Sequence, residues 1–440
     1  MTSSLVGSEM CIRDRILAVL LVLLFLGVPI SYAIAVSSLT AILSSIDLNV
    51  AVLTAAQRTF VGMSKFSLTA IPFFILAGNI MNQGGIAKRL VDFVMSILGK
   101  LPGALLVTNI GTNALFGAIS GSASAAAAAV GSMIRDGAEE QGYDPAVTAA
   151  TNAASSCSGL LIPPSNALIT YSLASGGTSV AALFMAGYIP GIIWAVCCCV
   201  VGVLLAVKLG YKGTPGRFDW KNLGICTLRA LPSLSLIIVV IGGIVGGVFS
   251  ATEGSAIAVV YSLILAFCYR SINLKSLWKI IVDSAKMSGM VVFLVGVSNI
   301  LGWVMAFLQI PDAVAALLLG LTNNKYIILL IMNVILLVSG TFMDVTPAIL
   351  IFTPLFLPIC QSFGMSTIQF GMILVYNLCI GNITPPVGNA LFVGIKVGRT
   401  SLEKVMPYML MYYVAIIAGL LLVTYFPAVS MALPQLTGLA

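Results

Sequence analysis

Histidine is absent from this 440-residue sequence, and charge is scarce: Asp, Glu, Lys and Arg together make up 8% of it. The first absence removes the commonest general base and the imidazole ligands of metals and haem. The second excludes a soluble globular protein, which draws roughly a quarter of its residues from the charged types. The nine cysteines contain no C-x-x-C pair, and Cys197, Cys198 and Cys199 lie in an apolar stretch. They read as small buried hydrophobes, with no metal or redox site among them. Basic residues exceed acidic ones by seven but form no dense tract with interleaved aromatics, so no nucleic-acid partner is expected. What is abundant is apolar: 60% of the chain is hydrophobic, in runs as long as 16 to 34. Such runs need a lipid bilayer, and they are too long and too uniform for the alternating strands of an outer-membrane barrel. The fold class is an all-α polytopic membrane protein.

Met1 to Arg15 is polar and lacks the charged, apolar and small-residue order of a signal peptide, so it is set aside as an N-terminal tail that need not be native. Residues 16–207 form a first apolar half and 230–440 a second. Between them 208–229 is a linker with five basic residues and one acid, Asp219, cytoplasmic by the positive-inside bias. Apolar helices are expected near 16–36, 68–82, 103–119, 121–134, 146–162, 166–176 and 180–207. After the linker they are expected near 231–249, 251–269, 288–308, 313–321, 326–339, 345–360, 367–384, 389–396 and 405–429. Segments 86–99 and 274–287 carry charges at helical spacing and read as matching interfacial arms of the two halves.

Sliding one half over the other gives a nearly constant offset. Gly27 meets Gly247, Asn79 meets Asn299 and Asn113 meets Asn333 at 220. Gly142 meets Gly364, Cys157 meets Cys379, Gly159 meets Gly381 and Pro163-Pro164 meets Pro385-Pro386 at 222. The matches fall on Gly, Pro and Asn, residues that shape the backbone. Two structural repeats are therefore expected, and an odd number of crossings in each would make them inverted.

The twin double prolines are the strongest local signal. Each pair stops a helix and removes two backbone donors, so carbonyls of the preceding turn lose their partners. Inside a bilayer such backbone survives only where it lines a cavity or is buried in protein, and unwound carbonyls there coordinate cations. One break alone would suggest a proline kink; two at corresponding places, each followed by Asn and Ala-Leu, make Pro163, Pro164, Ser165, Asn166, Pro385, Pro386 and Asn389 candidate ion and substrate residues. A second twin signal puts Gly and hydroxyls between arms too short to span: Ser120, Gly121, Ser122 and Ser124 in one half, Gly340, Thr341 and Asp344 in the other. These read as re-entrant hairpin tips, whose amides suit an anion and whose oxygens suit a hard cation. The alternative is close helix packing through small residues, accepted for Ala125 to Ala129. Glu253, Asp312 and Asp344 are the acids least obviously placed in loops. With so few titratable groups and no histidine, a Na⁺ gradient fits better than a proton relay.

The chain resembles the large membrane subunit of tripartite ATP-independent periplasmic (TRAP) transporters. The resemblance runs from Ile16 to Pro427 and rests on IPFFILAGNIM at 71–81, ALFGAISGSASA at 114–125, LIPPSN at 161–166, SGTFMD at 339–344 and NITPPVGNALF at 382–392. It implies an elevator-type secondary transporter in the bacterial inner membrane that imports an organic acid with Na⁺ and needs no other cofactor. It also implies two partners, a small four-helix membrane subunit and a periplasmic substrate-binding protein. By the same resemblance, Ser120 to Ser124 with Pro163 to Asn166 form one clamp, and Gly340 to Asp344 with Pro385 to Asn389 the other. The second carries one extra residue, Val387-Gly388-Asn389 against Ser165-Asn166. An intramembrane enzyme is the other class to weigh, with Ser122 or Asp344 reactive, but no base and no second well-placed Asp support it. A channel or scaffold subunit is the third.

Overall fold

The computed structural model describes residues 18–439 except 21, 24, 25, 214–218 and 323. The N-terminal tail and the middle of the linker lie outside them. The first half holds α1 (Ile30–Leu43), α2 (Leu48–Met63), α3 (Ala70–Gln83), α4 (Ile86–Leu98), α5 (Ala104–Ser120), α6 (Ala123–Glu140), α7 (Pro145–Ser156), α8 (Ser158–Leu161), α9 (Asn166–Ala174) and α10 (Val180–Leu209). The second holds α11 (Trp220–Val245), α12 (Ala251–Cys268), α13 (Leu274–Phe307), α14 (Ile310–Leu321), α15 (Lys325–Gly340), α16 (Val345–Ser362), α17 (Thr367–Gly381), α18 (Asn389–Val397), α19 (Leu402–Tyr425) and α20 (Pro427–Leu436). No strand occurs among the described residues.

Six helices are long and apolar enough to cross a membrane, seven if α2 and the helical segment Phe66–Gln83, bent 60° from each other, count as one. Their exteriors suit lipid. On α10, Ile192, Val196, Val200 and Leu204 recur every four residues and are exposed, while Trp194, Cys198, Val201 and Leu205 are buried. The chain is a multi-pass membrane protein.

Most expected segments form helices, with five differences, one of them the linker, whose residues from Trp220 onward belong to α11. The run from 16 breaks at Gly27, whose φ of 76° ends it, and α1 starts after Pro29. Helix α2 lies where no helix was expected, its apolar pattern diluted by Thr54, Gln57 and Arg58. Segment 274–287 continues into 288–307 as a single 34-residue helix. The 405–429 run divides at Phe426 into α19 and α20.

The helix order is consistent with two repeats. Helices α5, α6, α7, α9 and α10 begin at 104, 123, 145, 166 and 180, and α15, α16, α17, α18 and α19 at 325, 345, 367, 389 and 402. Backbone conformation agrees: φ is 76° at Gly27 and 71° at Gly247, 75° at Gly142 and 76° at Gly364. One expected match is corrected. Helix α4 follows left-handed Gly85 (φ 69°) as α14 follows left-handed Gln309 (φ 50°), so the counterpart of 86–99 is α14, and the 274–287 arm corresponds to α2.

The halves interlock. Helix α3 packs on α12, and α1 and α2 on α13, joining the early helices of both halves. The later helices are joined by α9 on α16, by α18 on α6 and α7, and by α19 on α7 and α10. At the α18 contact, a methyl group added to Gly394 would lie 3.0 Å from the Ala153 side chain, and one on Gly398 2.8 Å from that of Ala149. Arg135 on α6 donates to the Val397 carbonyl at the end of α18, at 3.3 Å.

Candidate functional site

The first hairpin turns at Gly121, whose φ of 62° ends α5. Ser122 then caps α6, accepting from the Ala125 amide at 3.4 Å, with its hydroxyl 3.2 Å from that of Ser124. Ser120 is buried, and Ser122 and Ser124 are half-buried. The tip rests against the first double-proline turn: a side chain at Gly121 would meet the Pro164 carbonyl at 3.2 Å and the Asn166 amide at 3.3 Å. Farther back, α5 and α8 touch backbone to backbone. A methyl group on Gly117 would come within 2.4 Å of the Gly159 Cα, and one on Gly159 within 2.2 Å of the Gly117 Cα.

Pro163 and Pro164 are buried and joined by a cis peptide bond. Of the carbonyls they leave without a helical donor, that of Leu160 is taken by the Ser165 hydroxyl, which also accepts from the Leu168 amide at 3.4 Å and so caps α9. Ser165 is thus engaged within the turn. Asn166 is different: its side-chain oxygen is buried with no hydrogen-bond partner.

The second half repeats the plan in a more open form. Gly340 lies against Gly381, where a methyl group on Gly381 would come within 2.4 Å of the Gly340 carbonyl carbon. The Val387 amide, just past cis Pro385-Pro386, donates to the Thr341 carbonyl of the tip at 3.1 Å. The Asn389 side chain donates to the Asp344 carboxylate at 3.2 Å. Freed carbonyls here are met from elsewhere: Tyr413 donates to Ile383 O at 2.6 Å, and the Ala390 amide to Asn382 O at 3.1 Å. Gly388 caps α18 at φ 23°, with only 2.9 Å between a methyl group placed there and the Thr384 carbonyl. Asp344, Pro386 and Asn389 are exposed, Thr341 and Pro385 half-buried, and Gly340 buried.

Paired asparagines hold each hairpin arm to the helix before its break. Asn113 donates to Asn109 Oδ1 at 2.7 Å, to Asn152 Oδ1 at 3.1 Å and to Ser155 at 2.8 Å, tying α5 to α7. Asn377 donates to Asn333 Oδ1 at 2.9 Å, and Asn333 to Thr424 at 3.0 Å, tying α15 to α17 and α19. Inside a bilayer, unpaired amides of this kind would be costly.

Both tips and both post-proline helices wall one cavity of about 480 Å³. The first half contributes Gly121, Ser122, Ser124, Asn166 and Thr170; the second contributes Asp344, Thr346, Asn382 and Asn389. Ser120, Pro163, Pro164, Ser165, Gly340, Thr341, Pro385 and Pro386 are not among the residues lining it. The apolar side comes from Ile71, Ile75, Met287 and Val291. Lys396 is the one basic residue lining the cavity. Sequence reasoning missed it because it reads as an ordinary cation at a helix end. Its register was the available signal: Asn389, Phe392, Val393 and Lys396 follow i, i+3, i+4, i+7 and all line the cavity. Asn382 was missed too, and like Asn166 it presents a buried oxygen without a partner. Two neutral oxygens, a carboxylate and several hydroxyls are the hard donors that a Na⁺ ion takes, and Lys396 with the amides at the tips suits an organic anion. Glu253 lies elsewhere, in a capping box with Ser250 at the start of α12, and Asp312 is exposed in the first turn of α14.

Membrane-spanning helices around a polar cavity walled by two hairpins and two broken helices define the class, a multi-pass membrane transport protein. Residues 17–429 match the family described as "Tripartite ATP-independent periplasmic transporter, DctM component". The uncharacterized protein YgiK of Salmonella typhimurium is 50% identical over 415 residues, covering 94% of this chain and 95% of YgiK. The isethionate TRAP transporter permease protein DctMQ of Oleidesulfovibrio alaskensis is 37% identical over 93% of this chain, which spans 64% of that longer protein. The C4-dicarboxylate TRAP transporter large permease protein DctM of Rhodobacter capsulatus is 32% identical, covering 96% of this chain and 99% of DctM. In fold, the crystal structure of the Alcanivorax borkumensis YdaH transporter is similar at 14% identity, with a TM-score of 0.61 over 86% of this chain and 89% of that one. The chain belongs to the TRAP transporter large permease family, and it is a transport subunit, not an enzyme.

Proposed function

We propose that this chain is the large membrane subunit of a Na⁺-coupled importer of an organic acid in the bacterial inner membrane, working with a small membrane subunit and a periplasmic binding protein. The observation that carries the reading is the single cavity between the two clamps, which Asn166, Asn382, Asp344, the tip serines and one lysine line together. The asparagine oxygens, Asp344 and the tip hydroxyls hold Na⁺, and Lys396 with the tip amides holds the carboxylate or sulfonate. The relatives' names support an organic anion of that kind, since DctM is named for C4-dicarboxylates and DctMQ for isethionate. The two groups of interlocked helices supply the parts for an elevator motion: α5 to α10 with α15 to α20 carry the cavity, and α1 to α3 with α11 to α13 form the frame.

The test is uptake by proteoliposomes holding the chain, its small subunit and its binding protein, offered succinate, isethionate or N-acetylneuraminate. Accumulation of one of these acids under an inward Na⁺ gradient is expected, with a Lys396→Gln variant showing a KM raised several-fold. Equal accumulation with choline in place of Na⁺ rejects the coupling, and non-saturable flux rejects the carrier in favour of a channel.

A further inference from the structure

A second cavity, of about 280 Å³, lies along three helices that also wall the first. On α9 the central cavity takes Asn166 and Thr170, and the second takes Leu173 and Ala174. On α13, Met287 and Val291 give way to Val295, Ser298 and Asn299; on α16, Thr346 gives way to Leu350. From Val291 to Ser298 the helix rises about 10 Å. The two cavities therefore lie one after the other along α9, α13 and α16.

The second cavity is basic. Arg58 and Lys65 face it, and none of the residues lining it is acidic. Arg58 sits over the Trp303 ring at 5.6 Å, and Trp303 stacks on Phe307 at 5.1 Å, so the guanidinium is held at the wall by an aromatic platform and not by a carboxylate. Neither cation makes an ion pair among the described residues. Two like charges without a counter-charge around one polar cavity form a field that concentrates anions.

The side of the membrane follows from α10. Its last turn carries Lys208 and leads into the basic linker, the cytoplasmic side by the positive-inside bias. Its first turn begins at Val180, shortly after Gly176, which lines the basic cavity. A helix of 30 residues is about 45 Å long and crosses the whole bilayer. The basic cavity thus opens on the outer side.

We propose that Arg58 and Lys65 form an outer anion-receiving station that binds the acid group of the transported molecule on its way to the central cavity. This rests on the import of an organic anion argued above. The two cations capture the anion by charge and Asn299 adds a neutral polar contact, ahead of binding in the central cavity. The station adds to the rate of capture and leaves the transport step itself unchanged.

The experiment is initial-rate uptake by the complete three-component transporter in phosphatidylcholine proteoliposomes, with the same three acids, for wild type, R58Q/K65Q and the charge-keeping R58K/K65R. At low salt the R58Q/K65Q KM should rise about tenfold with the maximal rate unchanged. Added choline chloride should raise the wild-type KM toward the variant's, and R58K/K65R should behave as wild type. An unchanged KM in R58Q/K65Q overturns the station, as does a loss that R58K/K65R shares. An effect confined to liposomes containing phosphatidylglycerol overturns it in favour of a lipid-headgroup site. Uptake of no acid by wild type removes the import reading and this inference together, an outcome distinct from failure of the station alone.

Discussion

The first clamp is closed and the second is open. Around Gly121 and Pro163-Pro164 the backbone is buried, and Ser165 ties the turn to the Leu160 carbonyl and to the start of α9. Asp344, Pro386 and Asn389 are exposed, and the turn is held by a backbone bond from Val387 to Thr341 and by Tyr413 reaching in from α19. One residue makes the difference. The second turn replaces a capping serine with Val387-Gly388, so α18 begins without a side-chain cap and its turn relies on distant partners. The same backbone plan thus takes two forms: a buried wall in the first half, and in the second an exposed wall that bears Asp344.

The largest effect that can break this comparison is steric. Ala at position 117 would press into the Gly159 backbone at 2.4 Å, whereas Ala at 340 would meet Gly381 Cα at 3.3 Å, a contact small shifts can absorb. Gly117→Ala should therefore cost about 3 kcal/mol, and Gly340→Ala well under half of that, by thermal unfolding in detergent. Equal losses would mean that the second clamp is as tightly built as the first. Next is Ser165→Ala, which uncaps α9 and strands the Leu160 carbonyl. About 2 kcal/mol of stability should go, and a loss near zero would show that water takes over and that this turn is open as well. The smallest effect concerns ions. Asp344→Asn keeps shape but removes the only carboxylate in the cavity, so the Na⁺ concentration for half-maximal uptake should rise about tenfold, roughly 1.4 kcal/mol. Ser122→Ala should shift it less. The reverse ranking would place the cation in the first clamp.

Much of this was legible because proline, glycine and long apolar runs act locally. The double prolines stop helices wherever they fall, and the near-constant offset located both breaks before any contact was known. The hairpin tips were legible for the same reason, since a Ser-Gly pair between short apolar arms has few other uses in lipid. Long-range packing was not legible. The Gly117–Gly159 and Gly340–Gly381 contacts join residues about 40 apart, and nothing in the local pattern distinguishes them from other glycines. The crossing of α9 onto α16 and of α18 onto α7, which makes one cavity out of two clamps, depends on how the halves meet. The misassigned partner of 86–99 has a simpler cause: charge at helical spacing marks an interfacial helix but does not say which one it matches, whereas the left-handed residues before α4 and α14 do.

The central claim is that both clamps face one space, open to one side of the membrane at a time. Single cysteines at Ser124 and Asn389, each in a background freed of other cysteines, can be probed with a membrane-impermeant maleimide applied to either face of the reconstituted transporter. Both should react from the same face, and Na⁺ together with the transported acid should slow both. Reaction from opposite faces, or protection of only one of the two, would contradict the account.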